Sequence, residues 1–157
     1  MVHNEKFKIE NQEKEGKATI LLKGIIDEDA TFDPILKTTG PLVFNFAGVT
    51  SINSCGIRNW VNFLKSVGDR PIAYAECPPL VVRQLNMVPS FGGVAKIQSV
   101  YASYICDNCE HEKLVLIADD KFKGGNATIA ETLPCEACGK GEMEFDGHPK
   151  QYFSFSK

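Results

Sequence analysis

Two short cysteine pairs constrain this chain more than any other feature. Cys106-Asp107-Asn108-Cys109 and Cys135-Glu136-Ala137-Cys138 are CxxC knuckles, with 25 residues between the inner cysteines. Two such pairs supply the four thiolates of a tetrahedral structural zinc site, so Cys106, Cys109, Cys135 and Cys138 are the expected metal ligands. Disulfides are the competing use of four cysteines. A reducing compartment disfavours them, and CxxC pairs flanked by strand patterns suit zinc. Neither knuckle sits in a βαβ pattern, which argues against a thioredoxin-like redox motif. Four cysteines complete a ligand set, so His111 reads as a surface residue, and His148, in the turn DGHPK, as solvated.

The segments around the knuckles read as strands: ASYI and KLVLI about the first, ATIAETL before the second, GEMEFDG and QYFSFS after it. Residues 100–157 therefore resemble a zinc ribbon, a small antiparallel sheet clamped by zinc. A unit of this size rarely buries enough core alone and needs a staple. Its charge argues against the nucleic-acid binding that such ribbons often perform. Residues 1–99 hold 11 Lys/Arg and 10 Asp/Glu, a net of +1, and residues 100–157 hold 6 and 10, a net of -4; the sum is the chain's -3. Four thiolates on one zinc add a formal -2, whereas phosphate binding needs a basic face. Tyr101, Tyr104, Tyr152, Phe153 and Phe155 offer a stacking platform or, at alternating spacing, the core face of a strand.

The first hundred residues alternate strand and helix. EKFKIE and KATILLKG read as strands joined by a hairpin at QEKEG, and DEDATFDPILKTT as a short helix with acidic residues at its start. PLVFNFAG, bounded by Gly40-Pro41 and Gly48, reads as a strand buried on both faces. Ile57, Trp60, Val61, Leu64 and Val67 form one apolar stripe at helical spacing, capped by Asn53 or Ser54 and stopped by Gly68. Phe63 falls off that stripe and is expected to be half-exposed. RPIAYAE is a strand, PPLVVRQLNMV a helix opened by Pro78-Pro79, and GGVAKIQSV a last strand. This order predicts an α/β fold, a mixed sheet with helices packed on one side, and a shift in composition near residue 100 marks the boundary with the second part.

Three pieces of residues 5–99 together resemble a STAS domain, the fold of bacterial anti-sigma-factor antagonists. Gly24-Ile25-Ile26-Asp27 is similar to that family's Gly-Glu-hydrophobic-Asp strand end. VFNFAGVTSINSCGIRNWVNFL is similar to its strand, its aspartate–serine–serine–glycine motif and its helix, and CPPLVVRQLNMVPSFGGVAKI to its last helix and strand. The resemblance implies a non-enzymatic bacterial signalling module that binds a regulatory protein, a switch kinase or an anti-sigma factor, and releases it once the second motif serine is phosphorylated. A hydroxyl at a helix N-terminus has free N–H groups beside it to accommodate the phosphate, which adds about two negative charges. Here Asn53 stands for the aspartate, Ser54 for the first serine and Cys55 for the phosphorylated one. The switching residue is thus absent or moved to Ser54. The resemblance places the binding face at Ser54, Cys55, Arg58, Asn59 and Asn62, with Asn53 and Asp27 beside it.

Cys55 has two readings: a small residue filling a helix start, or a thiol made reactive by the helix N-terminus and serving as a redox sensor. A catalytic cysteine is disfavoured, because the nearest histidine in sequence is His3 and no Cys/His/Asn signature surrounds it. Cys77 reads as a buried small residue. A nucleic-acid-associated zinc-ribbon protein is the other alternative, and a lipid or small ligand a further one for a STAS-like core. The charged N-terminus and the absence of a long apolar run predict no signal peptide and no membrane span, and a cytoplasmic location. Sheet edges in both parts make a homodimer a further expectation.

Overall fold

Alternation along KATILLKGII turns Ala18, Ile20, Leu22 and Ile26 into the interior and lysines 17 and 23 to solvent, which builds the strand β2 (Lys17–Ile26). It pairs antiparallel with β1 (Phe7–Lys14) and parallel with β3 (Leu42–Ile52). The structure is a computed structural model that describes residues 6–14, 17–125 and 127–156. The tip of the expected QEKEG hairpin lies outside the described residues. β4 (Ile72–Ala75) and β5 (Lys96–Ile97) extend the parallel part, giving the order β1-β2-β3-β4-β5. The helix α1 (Ser54–Val67) links β3 to β4, and α2 (Pro79–Met87) with the short α3 (Pro89–Gly92) links β4 to β5. Neighbouring parallel strands joined in sequence by crossovers of one hand carry their helices on one face.

That face holds an aromatic core. Trp60 of α1 lies 4.9 Å from Phe44, 5.0 Å from Phe32 and 5.5 Å from Phe46, mostly edge to face. Its indole N–H donates to the Tyr74 hydroxyl at 2.9 Å, and that hydroxyl donates to the Phe91 carbonyl at 2.6 Å. Burial pushes the Tyr74 hydroxyl's pKa up.

Three expectations change here. Phe63 is buried, because the buried line of α1 is Gly56, Trp60, Phe63 and Val67, rotated away from the Ile57–Leu64 edge toward the Phe32 and Phe44 rings. β3 is buried on one face only: Leu42, Phe44 and Phe46 point inward, whereas Val43 and Asn45 are half-buried, because no helix layer covers their side. DEDATFDPILKTT forms only a 3-10 turn at Asp33–Lys37, since Pro34 sets its first turn and a β-extended Thr38 ends it.

The second sheet is antiparallel throughout, in the order β7-β6-β9-β8, from β6 (Ser99–Cys106), β7 (Glu112–Ala118), β8 (Thr132–Pro134) and β9 (Glu142–Phe145). QYFSFS is not a strand. Pro149 opens a one-turn helix, α4 (Pro149–Tyr152), whose turn is closed by the Tyr152 N–H on His148 O and the Phe153 N–H on Pro149 O. A 3-10 turn at Ser154–Ser156 follows. The bend sets Phe153 fully buried, 5.4 Å from Phe122, so it is core and not a stacking platform; Tyr104 is buried too.

The two sheets share a core and are joined at Cys77, which bridges Val100 and whose carbonyl accepts from the Tyr101 N–H at 2.8 Å. Cys77 is fully buried, as expected, and burial pushes its thiol's pKa up. Among the described residues no helix is long and apolar enough to cross a membrane.

Candidate functional site

Each knuckle turns at a strand end. Cys106 closes β6, and Cys109 lies in the tight turn before β7; Cys135 follows β8, and Cys138 precedes the turn into β9. Pairing of β6 and β8 with the central β9 therefore brings four sulfurs together, all within 4.8 Å of one another. Cys106 Sγ lies 3.7 Å from Cys138 Sγ, and Cys109 Sγ 3.6 Å from Cys135 Sγ. A tetrahedron of sulfurs about 2.3 Å from a central zinc ion has edges of about 3.8 Å, so the spacing fits a metal and no disulfide is formed.

The surrounding backbone also suits anionic sulfur. The N–H groups of Asn108 and Cys109 donate to Cys106 Sγ at 3.4 Å, and the Gly141 N–H to Cys138 Sγ at 3.4 Å. The Asn108 amide reaches Cys138 Sγ at 3.6 Å, and Asp107 Oδ1 accepts the Glu142 N–H at 3.1 Å, tying the first knuckle to β9. Gly141 is needed for this approach: a Cβ there would lie 2.5 Å from Cys106 Sγ and 2.7 Å from Asn108 Cβ. The Lys140 and Gly141 N–H groups, with the Asn108 amide, draw the Cys138 thiol down to about 6. The His111 N–H pulls on Cys109 in the same sense, but desolvation and its own hydrogen bonding with the Cys106, Cys135 and Cys138 sulfurs push it up to about 12. The N–H donors around Cys138 favour its thiolate, the form that binds a cation. The His111 and His148 side chains are exposed, and His111 is not part of the sulfur cluster.

The second candidate is the start of α1. Asn53 is the cap: its Oδ1 accepts the Gly56 N–H at 2.8 Å, while its Nδ2 donates to Glu28 Oε2 at 3.0 Å, which lowers the Glu28 pKa. The helix start is pressed against the end of β2. A Cβ on Gly56 would lie 2.0 Å from the Ile26 carbonyl oxygen, so only glycine fits. Asn59, one turn on, donates to the carbonyls of Asp27 and Glu28, both at 3.3 Å. These contacts fix an outward face on which Asn53, Ser54, Cys55, Arg58 and Asn62 are exposed and Asn59 is half-buried.

Asp27 sits beneath this face, with its side chain only 8% exposed. Its carboxylate accepts Lys6 Nζ at 3.0 Å and the Asp29 N–H at 2.9 Å, so the Lys6 ammonium and that N–H hold its pKa below the ordinary value. Its role there is to shape the loop after β2.

Sequence reading missed Glu76. It follows β4 with φ +52, a left-handed conformation unusual for a residue bearing a Cβ. Its Oε1 accepts the Tyr101 hydroxyl at 2.8 Å, its Oε2 accepts the Asn45 amide, and its N–H donates to Ser99 Oγ at 2.8 Å. One carboxylate thereby ties the open face of the first sheet to the first strand of the second. No protein-family model matches the chain, and no curated protein matches it.

Proposed function

We propose that this protein is a non-enzymatic binding module of a signalling system: a STAS-like domain that holds a regulatory protein partner, followed by a zinc-ribbon-like domain stapled by structural Zn2+ on Cys106, Cys109, Cys135 and Cys138. The observation that carries the first half is the exposed polar outward face of α1. A glycine-only contact with Ile26 and two hydrogen bonds from Asn59 lock the helix start, while Ser54, Cys55, Arg58 and Asn62 stand clear of the fold. Pre-set polar surface of that kind loses little entropy when a partner docks. The order of motifs in residues 5–99 supports the kind of partner, a switch kinase or an anti-sigma factor. Cys55 occupies the place of the phosphorylated serine, so release by phosphate is lost or is carried by Ser54.

Zinc is supported by four sulfurs at tetrahedral spacing with N–H donors around them. Bound there, it would hold both knuckles and supply no reaction.

The test is co-purification from the native cytosol with Cys55 variants. Cys55→Asp places a negative charge where the family phosphate stands and is expected to weaken capture of a kinase-like or sigma-regulatory protein about tenfold or more, whereas Cys55→Ala retains it. Equal capture by both variants, or capture only of nucleic acid, contradicts the reading.

A second reading, a thiol sensor centred on Cys55, is favoured by the exposure of that thiol at the helix start. It requires alkylation of Cys55 near neutral pH much faster than an ordinary thiol; an ordinary slow rate removes it.

A further inference from the structure

Four strands end the two sheets, and three of them are poor templates for another chain. β1 carries Lys8, Glu10, Gln12 and Glu13, β5 is two residues long, and β8 is three residues long and contains Pro134. These are the usual ways of blunting an edge. β7 is blunted least, its charges confined to Glu112 and Lys113 at one end. It runs for seven residues, Glu112–Ala118, with Lys113 its only basic residue and no proline. Leu114 and Leu116 stand side by side on its outer face, 46% and 50% exposed.

The hydrogen-bond phase of β7 is fixed at both ends. The Cys106 N–H donates to His111 O at 2.9 Å, and the Asp119 N–H donates to Gln98 O at 3.0 Å. Direct partners in an antiparallel pair alternate between bonded and non-bonded, so the odd-numbered residues of β7 bond to β6. The N–H and C=O groups of Glu112, Leu114, Leu116 and Ala118 therefore point to the open edge. Among the described residues no hydrogen bond beyond the β6 ladder reaches them.

We propose that β7 pairs with β7 of a second copy of this chain, antiparallel about a two-fold axis at Val115, joining the two four-stranded sheets into one. In this register Leu114 faces the partner copy's Leu116 twice, Glu112 faces Ala118, and Lys113 faces Ile117 with Asp119 on its diagonal. The outward main-chain groups form about eight hydrogen bonds. Each Lys113 gains Asp119 as an acidic neighbour across the axis; the same diagonal sets Glu112 toward Asp120 on the exposed face, so like charges approach only diagonally and no like charges face each other directly. Sliding by one step in either direction is worse. Centring on Leu114 sets Glu112 against Leu116 and brings the two Lys113 side chains together diagonally. Centring on Leu116 sets Glu112 against Asp120. The intrachain pairs that Lys113 and Asp119 make, with Glu136 at 3.6 Å and Lys96 at 3.9 Å, are exposed and easily exchanged. A two-fold strand pair is isologous and closes on itself, so the assembly stops at a dimer.

Sedimentation equilibrium of the full-length, zinc-loaded protein tests this. A mass twice 17.3 kDa is expected as concentration rises. Leu116→Lys should weaken association about tenfold or more, with zinc content and circular dichroism unchanged. Lys113→Asp should weaken it, and Lys113→Asp combined with Asp119→Lys should restore it, because the cross-axis pair is re-formed with its signs exchanged. A mass of 17.3 kDa at every concentration, a dimer indifferent to Leu116→Lys, or a double exchange that restores nothing overturns the proposal.

Discussion

The two sheets of this molecule are held by different means. The first rests on apolar volume: Trp60, Phe44, Phe46, Tyr74 and Phe91 are fully buried around one hydrogen-bonded chain from indole to hydroxyl to carbonyl. The second has less apolar material of its own. Its strands β8 and β9 are three and four residues long, and its tip is organised around four sulfurs. Dense aromatic packing lets a sheet keep its shape without a cofactor, whereas short strands around a polar centre depend on whatever satisfies that centre. The candidate binding face of α1 stands on the first kind of support, and the knuckles are the second kind.

The largest effect expected is that of metal removal. Chelation, or Cys106→Ser, should cost the second sheet several kcal/mol, read as lost hydrogen-exchange protection across β6 to β9 while β2 to β4 stay protected. Acid should act in the same sense, because protons compete with the metal for the thiolates as pH falls. Equal loss in both sheets would erase the distinction between them.

Next comes Gly56→Ala. The new methyl would meet the Ile26 carbonyl oxygen at 2.0 Å, and the atoms it meets are backbone, so α1 must shift. A loss of about 3 kcal/mol in chemical denaturation, followed by Trp60 fluorescence, is expected. Tyr74→Phe sharpens the account of the core: it strands the Trp60 N–H and the Phe91 carbonyl and should cost about 1–3 kcal/mol.

The smallest effects concern one buried carboxylate and one exposed thiol. Asp27 is held below its ordinary value of 3.8 by Lys6 and the Asp29 N–H. A carboxylate with a folded-state pKa below its unfolded one contributes stability above pH 3.8, and that share is lost as pH falls through the folded value. Asp27→Asn should therefore flatten the acid limb of a stability–pH curve. Cys55→Ala, at an exposed position, should change stability by less than about 0.5 kcal/mol.

Much of this was legible in the residues. Alternation along 17–26, the apolar run from Leu42, the cap and stop at Asn53 and Gly68, and the cysteine spacing each carry a local signal, and each stands where that signal put it. What stayed hidden depends on neighbours distant in sequence. Phe63 is buried because Phe32 and Phe44 come to meet it, which rotates the buried line of α1. Asn45 lies on a face that no helix covers, and the strand's own composition could not say so. Glu76 adopts a left-handed backbone that its residue type disfavours, held by Asn45, Ser99 and Tyr101 from other strands. Pro149 outweighs the alternation of QYFSFS and bends it into a helical turn. In sequence Gly56 is one position of a motif; only the packing shows that no other residue type can approach Ile26 there.

The most direct measurement joins native mass spectrometry to hydrogen exchange on the same sample. One zinc per chain is expected and, after chelation, protection lost over residues 99–145 but kept over residues 17–75. A metal-free folded protein with Cys106, Cys109, Cys135 and Cys138 oxidised, or an exchange pattern indifferent to the chelator, would contradict this.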